Sequence, residues 1–549
     1  MAVNEKLSSV LKDLPLRILT PSYNERKSIV HGIISILDEP EITEPIIKGL
    51  SKLLPTTLHS YKDHKSQGLI KALILNLLKH HPLWTSQHLV QSIWNFAQTY
   101  KSTNATKSVA KCLYAPLSWS LIVMKSLDLS NETNKTSFET LVKAQSILIS
   151  HVVASTNPKL LASMFKSLRS TFEDSLAPPV LTQQFGAAIL KLEPNYHTII
   201  LGSYFIRYLR VAKLDSDIPK YKSFLLDSFI KVTVSTKVQP PVYIIQHAQH
   251  LLATVTQDEF KSLFLPAFQR SMLRSPEILL PVIRFIVDQF SIDLSPYSLD
   301  LGKLLGANLY SKDDSLRSYA VLSLRSLSSR CLSPGDLAKL VTHLVGVFNG
   351  SEGKLTVPGY KMSVLEGIDS LSENKVTQDS EPLVKNTVEQ LLKILETEVH
   401  EKTIVIAIQA LTSWLRKLHP PPPLSGVNGT KDPPPPTPLP ASLIAMFKKC
   451  LAAKTVSPVV RGAYFACLVT ALDAESKGQD GSEPSGILVQ VKEFQTDLIK
   501  SVDRAVAQPT QAAVVHEAIP AAILLLRLPK GRRLTTRNSM QYSSPPFSI

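Results

Sequence analysis

Asp313-Asp-Ser-Leu-Arg-Ser-Tyr-Ala-Val-Leu-Ser-Leu-Arg-Ser-Leu327 has the pattern of an amphipathic repeat helix. Leu316, Ala320, Leu324 and Leu327 recur at steps of three and four, so one face of a helix is apolar. Arg317 and Arg325 fall on the polar side, and the two aspartates open the helix where its dipole favours negative charge. Other stretches repeat the pattern. Val388, Leu391, Leu392 and Leu395 make a second one-sided stripe. Thr403–Leu415 (TIVIAIQALTSWL) is apolar nearly all round, as an inner helix would be. The one strand-like piece, Lys231–Val238, is short and isolated and reads as a frayed helix end.

Helix starts punctuate the chain. Ser22-Tyr-Asn-Glu25, Thr136-Ser-Phe-Glu139 and Thr256-Gln-Asp-Glu259 have the capping-box spacing, in which hydroxyl and carboxylate each satisfy an orphan backbone N–H. Ser275-Pro, Ser295-Pro, Ser333-Pro and Ser457-Pro place a capping hydroxyl before a proline, which has no N–H to leave unpaired. Such signals mark about 24 helices up to Leu526, or about 12 antiparallel pairs of about 44 residues, inside the period of HEAT and armadillo repeats. One helix pair cannot bury its own stripe and must stack on its neighbours. The expected fold is therefore an all-α, HEAT/armadillo-type α-solenoid, although the length alone would suggest three or four separate domains. Its expected organisation is a repeat array over 1–419, a Pro-rich loop insertion over 420–440 (ten prolines in 21 residues), a continuation of the array over 441–526, and a basic disordered tail over 527–549. A polar loop is expected over Ala474–Ser485.

Composition agrees with this reading. Of 549 residues, 44% are hydrophobic and 19% charged, enough apolar side chain for a large core. Glycine, at 20 residues, is too sparse for a turn-rich β protein. The four cysteines, at 112, 331, 450 and 467, form no Cys-x-x-Cys pair and read as reduced core thiols. No apolar run reaches the roughly 18 residues of a membrane helix, and the first residues lack a secretory pattern, so a cytoplasmic location is expected.

The net charge of +15 is uneven. Residues 1–250 hold 28 basic against 17 acidic side chains, whereas 251–526 hold 27 against 28. Between Glu44 and Asp128, ten lysines (Lys48, Lys52, Lys62, Lys65, Lys71, Lys79, Lys101, Lys107, Lys111 and Lys125) face one acid, Asp63. A solenoid with one lysine-rich end suits a polyanion, held through phosphates and released by salt. A solvated basic face that aids solubility is the competing reading. No phosphate loop, nucleophile elbow or kinase motif set is present. His247-Ala-Gln-His250 has the wrong spacing for a zinc protease helix and reads as polar helix-face histidines. Neither enzymatic activity nor a cofactor, metal or small-molecule substrate is expected.

Several strings carry a resemblance. Ser351-Glu-Gly-Lys-Leu-Thr-Val357 with Lys361-Met-Ser-Val-Leu365 is the longest; Leu192-Glu-Pro-Asn195, Leu273-Arg-Ser-Pro-Glu277 and Glu398-Val-His-Glu401 are others. In this order they resemble the N-terminal region of the general-control translational activators, giant HEAT-repeat proteins that sense stalled ribosomes. The resemblance implies a ribosome-associated scaffold in the cytoplasm, with no membrane contact. With an ATP-binding-cassette partner it would promote the general-control kinase, which phosphorylates the alpha subunit of translation initiation factor two. Family chains are several times longer, and their elongation-factor-three-like and kinase-docking segments have no counterpart here. After Ala521–Leu528 the sequence also departs from the family. A truncated form is the expectation. A transport or cytoskeletal adaptor binding protein cargo is the rival reading from another class.

Overall fold

A computed structural model of the protein describes residues 22–37, 43–51, 64–99, 119–153, 179–418, 441–452, 456–476 and 507. The expected Pro-rich insertion and basic tail lie outside the described residues, as does the expected polar loop beyond Ser476; Ala474–Ser476 are still helical. Among the described residues there are twenty-one helices and no strand. They fall into two units, Met1–Ile292 and Asp293–Ile549.

The second unit has α14 (Ser298–Gly306), α15 (Asp314–Ser329), α16 (Pro334–Phe348), α17 (Pro358–Leu371), α18 (Glu381–Thr397), α19 (Glu401–Leu418), α20 (Ala441–Ala452) and α21 (Pro458–Ser476). Each even-numbered helix pairs with the odd one that follows it. Each helix also packs on its next-but-one neighbour: α15 on α17, α17 on α19 and α19 on α21 in one layer, α14 on α16, α16 on α18 and α18 on α20 in the other. Two layers of stacked hairpins sharing one core is the α-solenoid arrangement. The stripes read from sequence line that core. Ala320, Leu324 and Leu327 of α15 and Val388, Leu391, Leu392 and Leu395 of α18 are buried, as are Ala407, Leu411 and Trp414 of α19.

Hydrogen bonds between successive repeats carry the period directly. Trp414 Nε1 donates to Ile368 O at 3.1 Å, 46 residues away. Asn374 Nδ2 donates to Ser328 O at 2.6 Å and Cys331 O at 2.8 Å, 46 and 43 residues back. These bonds satisfy carbonyls that the end of α15 would otherwise leave orphaned.

The first unit has α1 (Tyr23–Ser35), α2 (residues 44–51), α3 (His64–His80), α4 (Pro82–Thr99), α5 (residues 119–126), α6 (Glu132–Val153), α7 (Pro179–Ile189), α8 (Tyr196–Val211), α9 (Ile218–Phe229), α10 (Val242–His247), α11 (Gln249–Leu252), α12 and α13 (Pro276–Val287). Helix α12 runs through Gln257–Glu259, Phe260–Phe264 and Leu265–Arg274, with a π-helical turn in the middle. Next-but-one packing recurs in α1 on α3, α4 on α6 and α6 on α8. The same period links these repeats: His81 Nε2 meets Leu37 O at 2.9 Å and His88 Nε2 meets Glu44 Oε1 at 3.0 Å, both 44 residues apart. The strand-like Lys231–Val238 begins inside a π-helical turn, Ile230–Val234, that extends α9.

Thr256 and Glu259 form a full capping box, and Ser22 and Ser333 accept from Glu25 N and Asp336 N. The box expected at Thr136–Glu139 is not a helix start. Helix α6 begins at Glu132, and Asn131 Oδ1 accepts from Thr133 N at 2.9 Å. A stronger cap five residues upstream wins, and Thr136 becomes a mid-helix residue bonded back to Glu132 O. Ser295 is likewise no cap of a long helix. Its Oγ accepts from Leu332 N and Ser333 N, both at 2.8 Å, and ties two turns together.

Candidate functional site

Five of the ten lysines lie among the described residues, and all five are exposed: Lys48 on α2, Lys65, Lys71 and Lys79 on α3, and Lys125 on α5. Lys52, Lys62, Lys101, Lys107 and Lys111 lie outside them. Helix α3 buries Ile70, Leu73, Ile74, Leu77 and Leu78 against α1 and α4. At about 100° per residue, Lys65, Lys71 and Lys79 fall within an arc of about 120° on the opposite face, spread over about 21 Å of helix. Gly68 and Leu75 share that arc, and Leu75 is 46% exposed.

Among the described residues none of these five lysines is ion-paired. The acids that bound the cluster are engaged elsewhere. Glu44 meets His88, and Asp128 accepts from Ser130 N at 3.0 Å and Ser130 Oγ at 2.9 Å, which holds its carboxyl below the usual range. Lys65 Nζ sits 5.9 Å from the Tyr23 ring centroid, a cation–π contact that leaves its charge intact. Among the described residues, the face holds no internal ion pair that an anion would first have to break.

The first unit holds a second cluster, at α8 and α10–α11. Tyr204 Oη lies 3.0 Å from His247 Nδ1, and Arg207 Nη1 lies 3.0 Å from His250 Nε2; both pairs are 43 residues apart. Burial pushes both imidazoles down to about 4, and for His250 the positive Arg207 and Arg210 add to it. A guanidinium only donates, so His250 Nε2 is the acceptor and the ring is neutral with its proton on Nδ1. The histidines are thus half-buried against α8 rather than solvated on a helix face. Reading the motif alone missed this. The repeat offset was the available signal, since it pairs His247 with Tyr204 and His250 with Arg207.

The thiols point away from chemistry. Burial pushes Cys331 and Cys467 up to about 12, which disfavours the reactive thiolate. No helix among the described residues is long and apolar enough to cross a membrane.

The strings that carried the resemblance are joints. Glu398, nearly buried, pairs with Lys361 at 2.7 Å, and its Oε1 accepts from Val399 N and His400 N, both at 3.0 Å. One string is thereby tied to another across α17 and α19. Asn195 caps α8, accepting from Thr198 N at 2.9 Å.

The helix contacts define the class: a helical-repeat solenoid, with five exposed lysines that have no ion-pair partner among the described residues. Residues 222–355 match the family model described as "Stalled ribosome sensor GCN1 N-terminal". The human and mouse proteins named "Stalled ribosome sensor GCN1" are each 30% identical over 530 residues, 96% of this chain and 19% of theirs. The chain carries a GCN1-like N-terminal region and spans about a fifth of the length of those relatives. A homology model of the full-length AP-3 complex aligns with a TM-score of 0.44 at 12% identity, over 94% of this chain and 83% of that one. The solenoid assignment rests on the helix contacts instead.

Proposed function

We propose that this chain is a non-enzymatic, ribosome-associated scaffold of the translational stress response, and that its lysine-rich face docks on ribosomal RNA phosphates. The single observation that carries the reading is the 30% identity to stalled-ribosome sensors across nearly the whole chain. The unpaired cations on α2, α3 and α5 support a phosphate contact, because each can exchange its counterion for a phosphate. The ten lysines named above form the docking set in this reading, including the five outside the described residues. The scaffold works in the cytoplasm with the ribosome. It promotes the general-control kinase together with an ATP-binding-cassette partner. The array over 1–419 and 441–526 supplies the binding surfaces, and the insertion over 420–440 and the tail over 527–549 stand outside it.

Co-sedimentation of the full chain with ribosomes across a salt series tests the reading. Binding should fall steeply as salt rises. Charge reversal of Lys62, Lys65, Lys71 and Lys79 should abolish it while the circular-dichroism melt stays in place. Unchanged pelleting by the reversed protein would remove the lysines from the mechanism; no pelleting by the parent chain would remove the ribosome.

A further inference from the structure

The cluster on α8 and α10–α11 is not used by the lysine face. Its composition is unusual for a repeat joint. Helix α8 (YHTIILGSYFIRYLRV) and the segment Val242–Leu252 (VYIIQHAQHLL) contain no acid and no lysine. Apart from the buried Thr198 and Ser203, their polar side chains are arginine, histidine, tyrosine and glutamine. Tyr204 lies 6.1 Å from the His247 ring and 6.2 Å from the His250 ring, centroid to centroid, so three rings are grouped. Tyr196 and Tyr243, both half-buried, lie on the same two elements.

The charge balance is the telling feature. Among the described residues neither Arg207 nor Arg210 has a carboxylate partner. Arg207 is half-buried, and its hydrogen bond goes to a neutral imidazole. Arg210, exposed one turn further on, is a second cation without an anion. Holding two like charges together with no internal counter-charge is unfavourable, and an external anion relieves it. Nearby carboxylates would have drawn the histidines towards the charged form, yet both stay neutral, in line with their absence.

We propose that this cluster is a binding site for single-stranded RNA. Arg207 and Arg210 take backbone phosphates, and unstacked bases rest on the tyrosine and histidine rings. Guanidinium forks would hold the carboxylates of an acidic peptide as well, but such a peptide makes no use of the grouped aromatic rings. A nucleotide needs flat π-faces beside planar guanidinium donors, which is the combination grouped here. The neutral imidazoles add ring faces without adding non-specific charge. The site is distinct from the lysine face and does not require it.

Fluorescence anisotropy of the full chain with a labelled, unstructured 20-nucleotide RNA tests the proposal. Arg210→Glu, on an exposed side chain, should weaken binding about tenfold and leave the thermal melt unchanged. Arg207→Lys keeps the charge but loses the fork, and should weaken binding as well. Tyr243→Leu should reduce affinity for single-stranded RNA more than for a duplex of the same length. The same variants should still pellet with ribosomes through the lysines, and Lys71→Glu/Lys79→Glu should keep its preference for single strands over duplex. RNA affinity within twofold of the parent for Arg210→Glu and Arg207→Lys would overturn the proposal. So would displacement by poly-glutamate as potent as displacement by RNA, which would assign the cluster to an acidic protein partner.

Discussion

Replacing Asn374 should loosen the joint between two repeats of the second unit, by an amount its bonds allow one to work out. The side chain is 4% exposed. Its Nδ2 donates to Ser328 O at 2.6 Å and Cys331 O at 2.8 Å, and its Oδ1 accepts from Val376 N at 2.8 Å. Asn374→Ala removes three bonds worth about 1 kcal/mol each, so the local cost is about 3 kcal/mol. A local opening free energy lowered by that much speeds amide exchange about a hundredfold at the end of α15 and the start of the Lys375–Asp379 turn. Asn374→Asp should cost more at pH 7. A carboxylate cannot donate, and it would face two carbonyls in a buried place. Burial raises the acid's pKa, so part of the loss should be recovered as the pH falls and the carboxyl regains a proton to donate. The alanine variant should show no such recovery. Hydrogen-exchange mass spectrometry at pH 7 reads the first effect, and melting at pH 7 and pH 5 reads the second. Exchange within threefold of the parent, or an aspartate variant no worse than alanine at pH 7, would refute the view that this one amide staples the repeats.

The remaining predictions concern other joints and the charged face. Lys65→Glu/Lys71→Glu/Lys79→Glu should lower the log–log salt slope of RNA binding by about 2 to 3, measured by anisotropy over 50–200 mM salt. Gly186→Ala would bring a methyl inside contact distance of the buried Tyr221 ring and should cost about 1–3 kcal/mol in urea unfolding. His247 and His250 titrate lower when folded than the ordinary 6.5, so the unfolded chain takes up their protons first. Their stabilisation is intact above pH 6.5 and is lost as pH falls towards about 4. At pH 5 the loss should be about 2 kcal/mol for His247, and less for the more solvent-screened His250. Comparing melts of the parent and His247→Gln from pH 7 to pH 5 isolates that contribution. Lys213, which ends α8 at φ 57°, should gain up to about 1 kcal/mol in melting experiments when replaced by glycine.

The helical class and the repeat period were legible in the chain because both are local. A stripe at steps of three and four can be read within one helix, and the bonds from Trp414 to Ile368 and from His81 to Leu37 span 46 and 44 residues, as the helix-pair count implied. Individual starts were less secure. Thr136–Glu139 has the right spacing for a cap, yet Asn131 sits upstream and takes the role, and spacing cannot rank two competing caps. The lysine cluster was visible as charge. That Lys65, Lys71 and Lys79 share one face follows from the helical period, but that Glu44 and Asp128 are already satisfied by His88 and Ser130 could not be read from order along the chain.

Which residues form helices, how far apart the repeats lie, and the likeness to stalled-ribosome sensors are all written in neighbouring residues, as stripe, cap and string. Stacking of the repeats sets which charges remain unpaired among the described residues and which polar groups are forced together. Arg207 meets a neutral His250, Asn374 closes α15, and Lys361 finds Glu398 only after stacking brings residues some forty positions apart to within 3 Å. Desolvation and pairing are properties of that packed neighbourhood, so the charge balance of a site exists only once the repeats are stacked.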